Sequence, residues 1–412
     1  MDAARTRPWV IVGGGLAAAR AATTLRKEGF DGRLVVVTAE NHPPYERPPL
    51  VKDYLRGEST ADSLLAADAS FWTSTGNELL LQTRAQAIDL GARRVRLDDR
   101  RWLDFEKLLI ATGASAIRPD LPGANEEFVH VLRTIDDADR LRAAAKPTAT
   151  AAVAGGGWMA AEAAASLRQL GLEVTLVVPG QEVLERHLGR EIGAAYSALH
   201  ERNGTRLIRG GRVAEVTGGS DRGLRLASGD HIRADLVVLG FGATPNVELA
   251  RLSGLAISGG IEADRELRAS APDLFVAGDV AAPWHPRYGR HLRLEHWDTA
   301  RNQGRIAALN MLGRATVYDR LPYFYSDQFD SSMETFGLPP AADRPILRRS
   351  SERSIAAVWL SDGRVEAAIQ IDDGESSKAL SRLARERVEI DPALFADPRV
   401  PLAELLPAVQ PA

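Results

Sequence analysis

The sequence contains no cysteine. That absence excludes a disulfide framework, a catalytic thiolate, a CxxC redox pair and a cysteine-held iron–sulfur cluster, and it suits a reducing compartment such as the cytoplasm. Long apolar runs are missing as well. Nothing approaches the ~18 consecutive apolar residues that a membrane-crossing helix needs. Charge of one sign is not in excess: 51 Lys and Arg stand against 55 Asp and Glu, for a formal net charge of -4. With both signs spread along the chain, a broad nucleic-acid footprint is not expected. The opening residues, MDAARTRPWVIVGGG, run into a strand pattern without the apolar segment and small-residue cleavage site of a secretory signal.

What is present is a repeat. The 412 residues are too many for one ordinary core, so two or three domains are expected. Near the start, WVIVGGG (9–15) reads as a strand and glycine turn, LAAARAATTLRKEG (16–29) as a helix, and RLVVVTAE (33–40) as a second strand. The apolar runs are continuous rather than alternating, as in a parallel sheet covered on both faces. The same order returns in VAGGG (153–157), WMAAEAAASLRQLG (158–171) and LEVTLVV (172–178). Two dinucleotide-binding folds in one chain are therefore expected. KLLIATGA (107–114) closes the first unit and ADLVVLGFGATPN (234–246) the second. RPDLPG (118–123) reads as the linker, and DLFVAGDV (273–280) as a strand returning to the first unit. Beyond residue 320, RSIAAVWLSDGRVEAAIQID carries two strand-like runs joined by Asp362-Gly363, a hairpin signal, and KALSRLARERV reads as a helix. The expected division is 1–117 with 246–320, then 118–245, then a small α+β domain over 321–412.

The glycine turns carry the chemistry. Gly13, Gly15 and Ala18 form G-x-G-x-x-A. The first glycine permits the tight turn, the second lets backbone approach a pyrophosphate, and the alanine lets helix and strand pack closely. Phosphates would sit at the helix N-terminus. Glu40, at the end of the second strand, is placed to accept bonds from adenosine ribose hydroxyls. Asp279 follows an apolar strand; it reads either as a flavin ribityl anchor or as a helix N-cap. The second unit supplies Gly155, Gly157 and Ala160. Here Pro179 stands where the ribose acid is expected, and proline offers neither a carboxylate nor an N–H. A 2′-phosphate would need a nearby base, of which Arg186 is the nearest downstream. Glu162 lies just inside the second helix, where it either orients a nicotinamide amide or merely favours the helix's positive end.

Taken together, ENHPPYERPPLVKDYL (40–55), GGGWMAAEAAASLRQLGLEVTLV, GFGATPN, FVAGDVA, RLEHWDTARNQGRIAALNMLG and YFYSDQFD resemble the FAD- and NADH-dependent ferredoxin reductases of oxygenase and cytochrome P450 systems. The matches span nearly the whole chain in the family's order. Broader relatives include putidaredoxin-type, rhodocoxin-type and rubredoxin reductases and apoptosis-inducing-factor-like flavoproteins. The resemblance implies a glutathione-reductase-like α/β architecture: two Rossmann-type dinucleotide-binding domains and a small α+β C-terminal domain. It implies that Gly13, Gly15, Ala18, Glu40, Arg47, Lys52, Thr112, Gly113, Asp279 and Val280 hold FAD. Pro48 would abut the flavin, Lys52 would lie near its reactive edge, and His296 and Trp297 would line its pocket. Glu162 would position the nicotinamide, and Gly155, Gly157, Gly240 and Gly242 would shape the NADH site. The chain departs from the family pattern at Ala160 and Ala161, where glycine is frequent, and at Pro179, where an acid is.

Hydride transfer asks for orientation and field rather than acid–base machinery. A lysine beside the flavin stabilises the charge left by reduction; the alternative for Lys52 is a surface lysine beside prolines. Trp297 reads as a pocket shield or as core packing. His285, His291 and His296 have no recognisable zinc spacing, so no metal is expected. With no internal thiol pair, electrons are expected to leave for a separate one-electron acceptor, which the resemblance implies is a [2Fe-2S] ferredoxin. Arg287, Arg290, Arg293 and Arg301 form a candidate basic stretch to steer it. An oxidase using oxygen directly and a flavoprotein with a binding or signalling role are the alternatives.

Overall fold

The computed structural model describes residues 7–74, 76–146, 148–340 and 344–407. They form two compact units, one built from the described parts of Met1–Pro49, Ser59–Ser115 and Ala243–Arg320, the other from Leu50–Glu58, Ala116–Gly242 and Leu321–Ala412.

The first unit is organised by a five-stranded sheet in the order Asn77–Leu80, Leu34–Val37, Trp9–Val12, Lys107–Ile110, Leu274–Val276. All its pairs are parallel. Alternate residues along each strand feed two cores. Ile11, Val36 and Leu109 face one; Val10, Val12, Val35, Val37, Leu108 and Ile110 face the other. This is why the strands read as unbroken apolar runs. Each such side chain contributes about 1.5–3 kcal/mol by leaving water. The Leu16–Lys27 helix buries Ala18, Ala22 and Leu25 in the first of these cores. Its C-terminus is held by Arg26, whose guanidinium donates to the carbonyls of Phe30, Gly32 and Gly76. The helix Trp297–Met311 packs so closely on it that a Cβ at Gly304 would stand 2.3 Å from the Ala17 carbonyl oxygen.

The second unit repeats the plan. Its five-stranded sheet runs Arg206–Ile208, Glu173–Val177, Thr150–Ala154, Leu236–Leu239, Val129–His130, again with parallel pairs. The Trp158–Gln169 helix buries an alanine-rich face. Each unit also inserts a three-stranded antiparallel sheet before its fourth strand: Ala85–Asp89, Arg94–Leu97 and Trp102–Asp104 in one, Val213–Thr217, Gly223–Leu226 and His231–Arg233 in the other.

Within the second unit the C-terminal residues build a five-stranded antiparallel sheet, ordered Tyr323–Gln328, Ser331–Phe336, Arg364–Ile371, Ile355–Ser361, Ile346–Arg349. The Asp362-Gly363 turn adopts positive φ at both residues, 51° and 74°, as a tight hairpin requires. The Ser377–Glu386 helix buries Leu380, Leu383 and Ala384 against this sheet.

Candidate functional site

Each parallel sheet has the same crevice. The strand order reverses between the strand before the glycine turn and its neighbour, the switch point where open α/β sheets take ligands. In the first unit Gly13 sits there at φ +141°, and a Cβ on it would lie 2.0 Å from the Ala111 carbonyl oxygen. In the second unit Gly155 has the same φ, +141°, and its Cβ would lie 2.3 Å from the Gly240 carbonyl oxygen. No L side chain fits either place. Gly15 and Gly157 are the N-caps of their helices, neither with a side-chain cap bond nor an acid in the first turn. The leading N–H groups and the positive helix end are therefore left to an anion. Around Gly15 nothing comes within 4 Å of an ideal Cβ, the clearance a close-approaching pyrophosphate needs.

The first unit gathers most of the residues expected to hold FAD. Glu40, just beyond the Leu34–Val37 strand, is 2.7 Å from the Arg47 guanidinium through Oε1, and its Oε2 accepts a short bond from the Tyr45 hydroxyl. Arg47 also donates to that hydroxyl at 3.0 Å. The carboxylate is thus fixed at the strand end; Tyr45, which the sequence reading did not single out, helps fix it. The turn at Thr112 and Gly113 is pinned by Asn246: its side-chain amide donates to the Thr112 carbonyl, the Thr112 hydroxyl donates to the Asn246 carbonyl, and its N–H donates to the Gly113 carbonyl, each at 2.9 Å.

Asp279 follows Gly278, whose N–H donates to Gln303 Oε1 at 2.9 Å. The element after Asp279 is the strand Ala281–His285, so the helix N-cap reading fails. Val280 is fully buried and its carbonyl accepts from the Ile261 N–H. His296 is itself an N-cap: its Nδ1 accepts from the Asp298 N–H at 3.2 Å at the start of the Trp297–Met311 helix. Trp297 is half-buried, with the Arg301 guanidinium 5.0 Å from its ring. His285 and His291 serve the backbone: His285 bonds the Arg320 carbonyl, and His291 the Ala282 carbonyl. Among the described residues no group of three or more His, Asp or Glu has metal-binding geometry. Of the basic stretch, Arg293 is paired with Glu295. Pro48 opens the short turn Pro48–Val51.

The second unit brings Lys52 and Glu162 together. The Ser166 hydroxyl donates to the Val51 carbonyl at 2.6 Å, tying the segment before Lys52 to the Trp158–Gln169 helix. Lys52 Nζ then lies 3.2 Å from Glu162 Oε1 and 3.2 Å from Asp327 Oδ2, and 4.9 Å from the Tyr325 ring centre. Lys52 is only 8% exposed, so it is not a solvated surface lysine. The Glu162 side chain is 11% exposed, and the Ser326 hydroxyl donates to its Oε1 at 2.7 Å. Burial pushes the Glu162 carboxyl above the usual range; Lys52 and Ser326 oppose that rise, and Asp327 adds to it. Ser326 and Asp327 belong to the SDQFD motif, a signal the sequence reading used for resemblance without giving either residue a role. At the strand end, exposed Pro179 lies against Gly156. Two acids follow it: Glu182 lies 3.9 Å from Arg209, and Glu185 is engaged with the N–H groups of Gln181 and Glu182. Arg186 is exposed on the Glu185–Arg202 helix. Gly240 packs against Ala160, and the Gly242 carbonyl accepts from the Ile117 N–H at 2.9 Å.

Comparison with known proteins places these features in context. Residues 7–304 match the model of a family described as pyridine nucleotide-disulphide oxidoreductase, and residues 323–406 match one described as reductase C-terminal. The chain is 37% identical, over 97% of its length and 99% of the relative's, to the anthranilate 1,2-dioxygenase system ferredoxin–NAD(+) reductase component of Burkholderia cepacia. Its fold is similar to the ferredoxin reductase for the CYP199A2 system from Rhodopseudomonas palustris, with a TM-score of 0.92, 32% identity, and coverage of 97% of this chain and 99% of that one. It is equally similar, at a TM-score of 0.92 and 30% identity, to the reductase in a covalent putidaredoxin reductase–putidaredoxin complex, covering 97% of this chain and 98% of that one.

Proposed function

The chain belongs to the pyridine nucleotide-disulphide oxidoreductase family, and from that premise we propose that it is a cytoplasmic NADH:ferredoxin reductase. It takes reducing equivalents from NADH and delivers them one at a time to a [2Fe-2S] ferredoxin that serves a cytochrome P450 or an aromatic-ring oxygenase. The observation that carries this reading is the pair of matching glycine cradles, at Gly13 and Gly155, in a chain without a single cysteine. Two cradles provide for two dinucleotides, and the missing thiols send the electrons to another protein. The relatives are named as ferredoxin–NAD(+), rhodocoxin and putidaredoxin reductases, which favours this reading over a direct oxidase or a signalling flavoprotein.

The proposed division of labour is residue by residue. The FAD-binding domain comprises 1–117 and 246–320, the NADH-binding domain 118–245, and the C-terminal domain 321–412. Gly13, Gly15 and Ala18 admit the FAD pyrophosphate, Glu40 with Arg47 behind it takes the adenosine ribose, and Thr112, Gly113, Asp279 and Val280 line the remainder. Pro48, Lys52, His296 and Trp297 take the flavin-facing roles. Gly155, Gly157, Gly240 and Gly242 admit NADH, and Glu162 accepts from the nicotinamide carboxamide. Bound FAD supplies the conversion between a two-electron donor and a one-electron acceptor. The chain's own part is to bind both cofactors, orient them and keep water out. Lys52 provides a buried positive charge and Glu162 a directional acceptor.

The test is anaerobic stopped-flow mixing of the purified yellow protein with NADH and with NADPH, followed by a plant-type or putidaredoxin-type [2Fe-2S] protein. Fast bleaching by NADH and re-oxidation by the iron–sulfur protein are expected. Failure of both nicotinamides to bleach the flavin overturns the assignment.

A further inference from the structure

Behind Glu162 runs a line of buried polar side chains that binding and catalysis as described above do not use. Ser326 donates its hydroxyl proton to Glu162 Oε1 at 2.7 Å. Gln328 Nε2 donates to Ser326 Oγ at 3.1 Å. Gln328 Oε1 lies 2.9 Å from His200 Nε2. Ser326 and Gln328 both point inward because they are two apart on the strand Tyr323–Gln328, with Asp327 exposed between them. Ser326, Gln328 and His200 are each buried to within 1% of complete. A buried polar line of this length is costly unless each member is satisfied.

The direction of every bond follows from the carboxylate. Glu162 can only accept while ionised, so Ser326 must spend its single proton on it. Ser326 then needs a donor, and the Gln328 amide turns its NH₂ that way. The amide oxygen is left facing His200, so the imidazole must carry its proton on Nε2. Its Nδ1 is buried and meets no hydrogen-bond partner among the described residues. The ring stays neutral near pH 7, since burial lowers its pKa to about 4. His200 is held edge-on against Phe329, ring centres 5.3 Å apart, and Phe329 takes a positive φ of 56°, rare for an aromatic residue. Lys52 and Ser326 both act on Oε1 of Glu162, and neither contact uses Oε2.

We propose that Ser326, Gln328 and His200 are positioning residues for Glu162, a one-directional relay that fixes Oε1 inward and presents Oε2 to the nicotinamide carboxamide. This rests on the NADH reading for the role of Glu162, while the relay itself is a property of the protein alone.

Two measurements on the FAD-loaded full chain separate these. Imidazole nitrogen–proton correlation spectra of ¹⁵N-histidine protein, with the His200 signal assigned by His200→Gln, should show the neutral Nε2–H form at pH 7. Ser326→Ala should shift it, and Ser326→Thr, which keeps the hydroxyl, should leave it in place. An Nδ1–H form, or a signal indifferent to Ser326→Ala in a variant whose melting temperature is unchanged, overturns the relay. In anaerobic flavin reduction, Ser326→Ala should raise the NADH concentration for half-saturation about tenfold, as loss of a hydrogen bond to a charged group does. The same change in a Glu162→Ala background should have no such effect. An equal loss in both backgrounds means that Ser326 does not act through Glu162, and the proposal falls. If NADH fails to reduce the unaltered protein, the functional reading falls instead, and the spectra alone decide the relay.

Discussion

Pro179 occupies the strand-end position at which an acid would clamp a ribose, and the acids that follow it are engaged elsewhere: Glu182 lies 3.9 Å from Arg209, and Glu185 caps the N–H groups of Gln181 and Glu182. Pro179→Asp is expected to lower the NADH half-saturation concentration about tenfold, the value of a charge-assisted hydrogen-bond pair. It should weaken NADPH, whose 2′-phosphate would meet a like charge; nicotinamide titrations of flavin reduction check both. Lys52 is the counterpart in the interior. Lys52→Met leaves Glu162 buried without its ion-pair partner and is expected to cost about 3 kcal/mol, read from urea unfolding midpoints. Glu162→Gln in the same variant should recover much of the loss, since a neutral amide tolerates burial better than a lone carboxylate.

The strand–turn–helix element recurs with nearly identical local geometry, yet the two copies are proposed to serve different cofactors. Gly13→Ala forces a Cβ onto the Ala111 carbonyl at a φ closed to alanine, and Gly155→Ala does the same at Gly240. Each should destabilise its turn by about 3 kcal/mol or more. Gly13→Ala is expected to yield protein depleted in FAD, seen in the ratio of flavin to protein absorbance. Gly155→Ala should retain its colour and lose its response to NADH. These turns were legible from sequence because glycines followed by an alanine-rich helix leave a local pattern. So were the parallel strands, whose unbroken apolar runs record burial on both faces. The short antiparallel strands left no such mark: Trp102–Asp104 is mostly exposed, and Ala85–Asp89 is largely half-buried. At the C-terminus only the Asp362-Gly363 hairpin and the following helix were read. The strands Tyr323–Gln328 and Ile346–Arg349 carry buried polar residues, Ser326, Gln328 and Arg348, that break the apolar alternation.

For the molecule as a whole, buried His200 shapes the response to acid. Its pKa falls from 6.5 to about 4 on folding, chiefly through burial. Between those values the unfolded chain takes up a proton that the folded one refuses. Its contribution to stability is therefore complete above pH 6.5 and is lost as pH falls toward 4, in total by roughly 3 kcal/mol. Glu162 has the opposite sign: its raised carboxyl disfavours folding as pH rises through its folded value. Urea unfolding at pH 7 and pH 4.5 should show the acid loss, and His200→Gln should flatten it. The sequence by itself determined the two dinucleotide folds, the glycine cradles, the absence of an internal thiol relay and the missing ribose acid at Pro179, because each is a matter of residue type and short-range spacing. Only the tertiary structure decided that Asp279 precedes a strand, that Lys52 is buried against Glu162, and that Ser326, Gln328 and His200 line up behind that carboxylate. The Lys52–Glu162 pair and the bonds from Ser326 to Glu162 and from Gln328 to His200 join residues distant in the chain, and such a bond is made only where the folded backbone sets donor and acceptor within about 3 Å of each other.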